Sequence, residues 1–237
     1  MQHLFCIHRC TPCQRSITLI FGILFLIMFN GCGKRTSARR KAYNLLQQAE
    51  FAMTQGAYPK ALAFVEESLQ EYKLLPAQLL QANLYYMVGH WALSSRLYQK
   101  LLLNKKLKAA TRADCMNNMA LSLYNIGNWQ QARIIWQQLT TDAHYVSKEV
   151  AWYNLGLLYL YKAAEQNNPA SFYDLALRSF EQAVTIAPTY IDALYYAAVT
   201  KIEQNDVIGA RQYLNELLKR APNHQRGQQL SQKIGLQ

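Results

Sequence analysis

Along most of this chain apolar residues recur at helical rather than strand spacing. In the stretch WYNLGLLY, residues 152–159, Trp152, Leu155, Gly156 and Tyr159 share one helical face, because 3.6 residues complete a turn. A glycine inside a helix costs about 1 kcal/mol against alanine, so Gly156 requires a packing reason. The run SFYDLALRSFEQAVTIAP, residues 171–188, places Ala176, Phe180, Ala183 and Pro188 at a second set of helical offsets.

Laid along the chain, the two patterns predict five pairs of helices. On the first helix of each pair a small residue recurs as Ala49, Ala82, Ala120, Gly156 and Ala198. The second helix carries Ala61, Ser94, Ala132, Ala176 and Ala210, followed four residues later by the larger Val65, Tyr98, Trp136, Phe180 and Leu214. An aromatic residue opens the second helix at Tyr58, Trp91, Trp129 and Tyr173, with Val207 departing, and the turn before it carries Gly56, Gly89, Gly127, Ser171 and Asn205. Small facing small brings two helices close, and a side chain at Gly156 would push its partner helix away.

The small sites on the second helices are spaced 33, 38, 44 and 34 residues apart. The longest interval holds about eight extra residues around AAEQNNPASF, which predicts a first helix running past Tyr161 and a loop at Asn167-Asn168-Pro169. The polar C-terminal segment, with Leu230 and Ile234 four apart, reads as a helix covering the last apolar face.

This arrangement resembles the tetratricopeptide repeat, a pair of antiparallel helices whose small residues mark the contact between them and whose proline follows the second. The resemblance covers residues 42–222. It implies an all-α fold, a right-handed superhelical solenoid of antiparallel helix pairs whose inner wall is built by the first helices. By analogy with the family, that wall includes Asn83, Tyr86, Asn117, Asn118, Tyr124, Tyr153, Asn154, Tyr161 and Tyr195, with Leu79, Leu121, Asn125, Leu157 and Tyr196 beside them. Asparagine offers a donor and an acceptor together, and tyrosine offers apolar area with a polar tip. Such a wall suits an extended or helical segment of a partner protein. Lys and Arg, which family members use to clamp acidic chaperone tails, are nearly absent from it.

The N-terminus reads as an address. Ile17 to Phe29 is an apolar run preceded by Arg9 and Arg15, and as a helix it would span about 20 Å, short of the ~30 Å bilayer core. It closes on Phe29-Asn30-Gly31-Cys32, which resembles the lipobox of bacterial lipoproteins, where a small residue precedes a cysteine that is lipidated. Residues 1–31 are then a signal peptide, Cys32 the lipidated terminus, 32–41 a basic linker, 42–222 five helix pairs and 223–237 a capping helix. Five positive charges follow the apolar run and two precede it, the reverse of positive-inside orientation, which keeps an uncleaved anchor with a cytoplasmic domain as an alternative.

Charge and cysteines add little. The 25 Lys and Arg against 14 Asp and Glu concentrate in Lys34, Arg35, Arg39, Arg40 and Lys41, and in Lys100, Lys105, Lys106, Lys108 and Arg112. The first cluster suits anionic lipid headgroups. Without interleaved aromatics neither cluster suits nucleic acid, and the second reads as a solvated face. Cys6, Cys10 and Cys13 lie in the expected leader, and Cys115 sits on an apolar helix face as a core residue. His90, His144 and His224 show no repeated spacing to carboxylates, so no catalytic residue, metal site, cofactor or small-molecule substrate is expected. The expectation is a membrane-tethered lipoprotein adaptor or assembly factor of the bacterial cell envelope, exposed on the periplasmic or exported side of the cell or outer membrane. The alternatives are a self-assembling structural envelope protein and a cytoplasmic adaptor on an uncleaved anchor.

Overall fold

The computed structural model describes residues 20–165 and 170–235, with side chains from residue 35 onward. Those residues form α1 (Ile20–Thr54), α2 (Tyr58–Glu71), α3 (Leu75–Met87), α4 (Trp91–Leu102), α5 (Ala109–Asn125), α6 (Trp129–Thr141), α7 (Lys148–Ala164), α8 (Ala170–Ile186), α9 (Ile191–Glu203), α10 (Val207–Arg220) and α11 (Gln225–Lys233). No strand occurs among the described residues. Each helix packs chiefly on its neighbours in the chain, so the protein is an all-α solenoid of helix pairs.

The seam within each pair lies where the small residues predict it. Ala49, Ala82, Ala120, Gly156 and Ala198 are buried, as are Ala61, Ser94, Ala132, Ala176 and Ala210 facing them. Val65, Tyr98, Trp136, Phe180 and Leu214 fill the core beyond. A Cβ built on Gly156 would fall 2.6 Å from Cδ1 and 2.8 Å from Cζ of Phe180, which is the packing reason the glycine requires. The serine at this seam keeps the approach close and satisfies its own hydroxyl: Ser94 donates to the Ala82 carbonyl at 2.8 Å, and Ser68 does the same to Ala42 at 2.7 Å.

The turns follow the glycines. Gly56, Gly89 and Gly127 adopt φ of +70°, +83° and +83°, and Asn205 takes φ +60° in the corresponding turn of the fifth pair. This left-handed conformation is open to glycine and tolerated by asparagine. Tyr58, Trp91, Trp129 and Val207 each open their helix.

Two expectations are corrected. Ser171 is not in a turn: α8 begins at Ala170, so Ser171 is helical and Tyr173 is its fourth residue. The extra residues of this pair lengthen the helices on both sides, with α7 running past Tyr161 to Ala164. The loop expected at Asn167-Asn168-Pro169 lies outside the described residues. Residues 32–41 are not a linker but part of α1, which is 35 residues long. Lys and Arg are good helix formers, and here they are also tied down. Lys41 donates to Glu71 at 2.6 Å, and the Arg39 guanidinium lies 5.7 Å from the Tyr43 ring centre.

Residues 1–19 of the expected signal peptide lie outside the described residues, as do the side chains of 20–34, Cys32 among them. Among the described residues no helix is long and apolar enough to cross a membrane. At the other end α11 packs on α10, where a Cβ at Gly227 would meet Leu217 Cδ2 at 2.6 Å. His224 caps α11 by accepting the Gly227 N–H at Nδ1, 3.0 Å.

The Gly156–Phe180 contact gives a test. Gly156→Ala should lower unfolding free energy by about 1–3 kcal/mol despite its better helix propensity, because overpacking outweighs the gain. In urea unfolding, Gly156→Ala combined with Phe180→Leu should recover part of that loss, giving a coupling of at least about 0.5 kcal/mol.

Candidate functional site

The first helices of the pairs, α3, α5, α7 and α9, touch one another side chain to side chain. Asn118 Nδ2 on α5 donates to Asn83 Oδ1 on α3 at 3.2 Å, and Asn125 Nδ2 on α5 reaches the Tyr86 hydroxyl on α3 at 3.4 Å. Asn154 Nδ2 on α7 donates to Asn117 Oδ1 on α5 at 3.3 Å, and Tyr153 on α7 stands edge-on to Tyr196 on α9, centroids 5.9 Å apart. Between second helices the surface instead opens into clefts: about 320 Å³ between α2 and α4, 510 Å³ between α6 and α8, and 480 Å³ between α8 and α10. The side-chain contacts tie the first helices of neighbouring pairs together on the face where the repeat resemblance places the inner wall.

The structure divides the predicted wall residues into two sets. Asn117 and Asn154 are only 8% and 7% exposed, and their amides are used inside the protein. Asn117 Oδ1 accepts from the indole Nε1 of buried Trp136 at 3.1 Å as well as from Asn154, and Asn117 Nδ2 donates to Asn118 Oδ1 at 3.2 Å. Asn83 and Asn118 continue the network to Tyr98, whose hydroxyl donates to Asn83 Oδ1. These asparagines join three helix pairs, where the sequence reading had them offering their amides to a partner. No buried side-chain polar atom among the described residues lacks a partner.

Tyr153 also belongs largely to the interior. Its ring packs on Phe180 and Tyr190, with centroids 6.0 Å and 5.1 Å away, and burial pushes its hydroxyl well above the usual phenol range. Tyr195 is covered from the C-terminal side by α11. The Arg226 guanidinium lies 4.7 Å from its ring centre and pairs with Asp192, and the His224 ring stands 5.9 Å away. The sequence reading missed Arg226. Its signal was an arginine in the helix that takes the next first-helix position.

Besides the exposed Asn83, what remains open is a stripe at the C-terminal turns of α3, α5 and α7. Tyr161 is 53% exposed and Met87 50%, with half-buried Tyr86, Tyr124, Leu121 and Leu157 between them and Asn125 at the surface. Tyr124 is held by Trp136 and Tyr161, centroids 6.0 Å and 6.1 Å away. Burial raises the Tyr124 hydroxyl, and a hydrogen bond with Glu165 raises that of Tyr161, so both stay neutral at physiological pH. The stripe therefore presents rings and neutral hydroxyls, with the Lys162–Glu165 ion pair beside Tyr161 at its end. Among the described residues no group of three or more His, Cys, Asp or Glu could hold a metal ion.

Family models described as tetratricopeptide repeat match residues 114–143 and 173–234. No curated protein matches the chain by sequence. Among solved structures it is similar to PilW, a widely conserved type IV pilus biogenesis factor, at 19% identity and TM-score 0.66 over 82% of this chain and 86% of that one. PilF of Pseudomonas aeruginosa gives 18% identity and TM-score 0.64 over 84% of each chain. YrrB, a tetratricopeptide repeat protein with an unusual peptide-binding site, gives 17% identity and TM-score 0.55 over 79% of this chain and 90% of that one. These likenesses show the solenoid fold, and that fold indicates a protein or peptide partner.

The network can be separated from the stripe. Asn117→Ala should destabilise the protein by about 1–3 kcal/mol, because the Trp136 indole N–H loses its buried acceptor. Asn125→Ala, at the surface, should change it by less than about 0.5 kcal/mol in the same denaturant titration.

Proposed function

We propose that this chain is a membrane-tethered adaptor or assembly factor of the bacterial cell envelope that holds a segment of a partner protein on its first-helix wall. The observation that carries the binding role is the open stripe of Tyr86, Met87, Tyr124 and Tyr161, which places rings and an unbranched thioether on one rigid surface. Tyrosine buries large area while losing little side-chain freedom, and methionine adapts to varied partners. Unlike a flat patch, a row spaced along three successive helices can follow a peptide lengthwise. The Asn network beneath it fixes the relative placement of the three helices before any partner arrives, which reduces the ordering cost of binding.

The envelope setting is supported by the lipobox-like Gly31-Cys32 and by the likeness to PilW, a type IV pilus biogenesis factor. Lipidation at Cys32 would tether the solenoid to a membrane by its first helix. A second reading, an uncleaved anchor with the solenoid on the cytoplasmic side, is favoured by α1, which runs unbroken from Ile20 into the first helix pair. Fatty-acid labelling of the intact protein beside Cys32→Ala separates them. Label and a mature mass beginning at Cys32, both lost in the variant, support the lipoprotein. An unlabelled full-length mass supports the anchor.

For the binding role, Tyr86→Ala with Tyr161→Ala should reduce co-purification of envelope partners about tenfold or more, since a few aromatic anchors carry most of such binding energy. The helical melting curve should stay within a few degrees of the parent. Tyr153→Ala with Asn154→Ala should instead lower the melting curve, since both residues serve the interior.

A further inference from the structure

We propose that the cleft between α2 and α4, on the second-helix side of the solenoid, is a separate docking site for an acidic, leucine-bearing segment of a partner protein. Its wall combines Leu69, Leu97 and the buried Leu101 with two lysines, Lys73 and Lys100. No carboxylate lines it. Gln78 and Gln81 add side-chain amides that can donate to and accept from a peptide backbone. Neither lysine has an ion-pair partner among the described residues.

Comparison with the equivalent clefts isolates this feature. The α8–α10 cleft contains Arg178 and Lys201 but also Asp174, Glu181 and Asp206, and Lys201 is paired with Asp206 at 3.0 Å. The α6–α8 cleft balances Arg178 with Glu181. In both, cation and carboxylate come together, whereas the α2–α4 cleft carries charge of one sign. On the same side of α2, Glu66 is engaged by the Tyr85 hydroxyl at 2.7 Å.

The loop that leaves the cleft extends the positive surface. After Asn104 come Lys105, Lys106 and Lys108, all exposed, with Leu103 77% exposed beside them. The loop is ordered by its own bonds. Arg112 donates to the carbonyls of Leu102 at 2.6 Å and Asn104 at 2.8 Å, and Asn104 Oδ1 accepts the Lys106 N–H at 3.0 Å. A lysine in the last turn of α4 complements the helix C-terminus, but three more on the loop have no such partner. Two rim cations over a leucine floor select carboxylates alternating with apolar side chains. The concavity suits side chains entering a cleft better than a flat lipid surface.

The test uses the full-length chain in non-ionic detergent and a fluorescein-labelled peptide with Glu and Leu at helical spacing, beside the same peptide with Gln for Glu. Fluorescence anisotropy should show the Glu peptide bound, and the Gln peptide bound at least about tenfold more weakly. Lys73→Glu with Lys100→Glu should weaken the Glu peptide about tenfold or more, Lys73→Gln with Lys100→Gln less, and Tyr86→Ala with Tyr161→Ala not at all. Melting curves check that the charge variants fold, which their exposed positions favour. Equal binding of both peptides, no binding of either, or loss only in the tyrosine variant would overturn the proposal. So would binding to phosphatidylserine vesicles in the absence of peptide binding, which would assign the lysines to a lipid surface.

Discussion

The structure depends on how closely two helices of a pair can approach. At each seam a small residue faces a small residue, and the next residue one turn along is large enough to fill the gap beyond. Where the large residue is Phe180, even alanine is too big for the facing position, and glycine is used despite its cost in helix stability. Because every pair is closed in this way, the first helices come to lie side by side. The inner wall is thus a consequence of contacts made elsewhere, between residues that never reach the surface.

That wall has two layers with different chemistry. Beneath lies a chain of amides running from Tyr98 and Asn83 through Asn118 and Asn117 to Asn154 and Trp136. Above it lie the rings of Tyr86, Tyr124 and Tyr161 and the Met87 thioether, with Tyr124 edge-on to Tyr161. The polar layer is costly to break, because each buried amide or indole left alone would lose its partner in a medium that cannot supply water. The aromatic layer costs little to expose and gains by being covered. Rigidity below and apolar area above are what a surface needs to hold another chain without reshaping itself.

The solenoid was legible in the sequence because its defining signal is a contrast of size at fixed spacing. Ala49, Ala82, Ala120, Gly156 and Ala198 are recognisable without knowing what they touch. Legibility failed where spacing broke or where residue type underdetermines direction. Ser171 was misplaced because the inserted residues were absorbed by lengthening α7 and α8 rather than by the turn alone. The segment 32–41 read as a linker because it is dense in charge, although Lys and Arg propagate a helix well and Lys41 finds Glu71 on α2. Asn117 and Asn154 have the right positions and the wrong neighbours for a ligand: an amide on a helix face gives no sign of whether its partner is Trp136 or a guest. Arg226 lies beyond the last complete pair, where the size contrast that marks the repeats ends.

A repeat array is ordinarily modular, able to lengthen or shorten by whole units because each contacts only its neighbours. The amide chain limits that freedom in the middle of this protein. Remove the pair formed by α5 and α6, and Asn83 would face Asn154 without the adjacent Asn117 and Asn118 that link α3 to α7. The three central pairs are thus tied to one another by amides, while the terminal pairs join them through other contacts, Tyr85 with Glu66 at one end and Tyr153 with Tyr196 at the other.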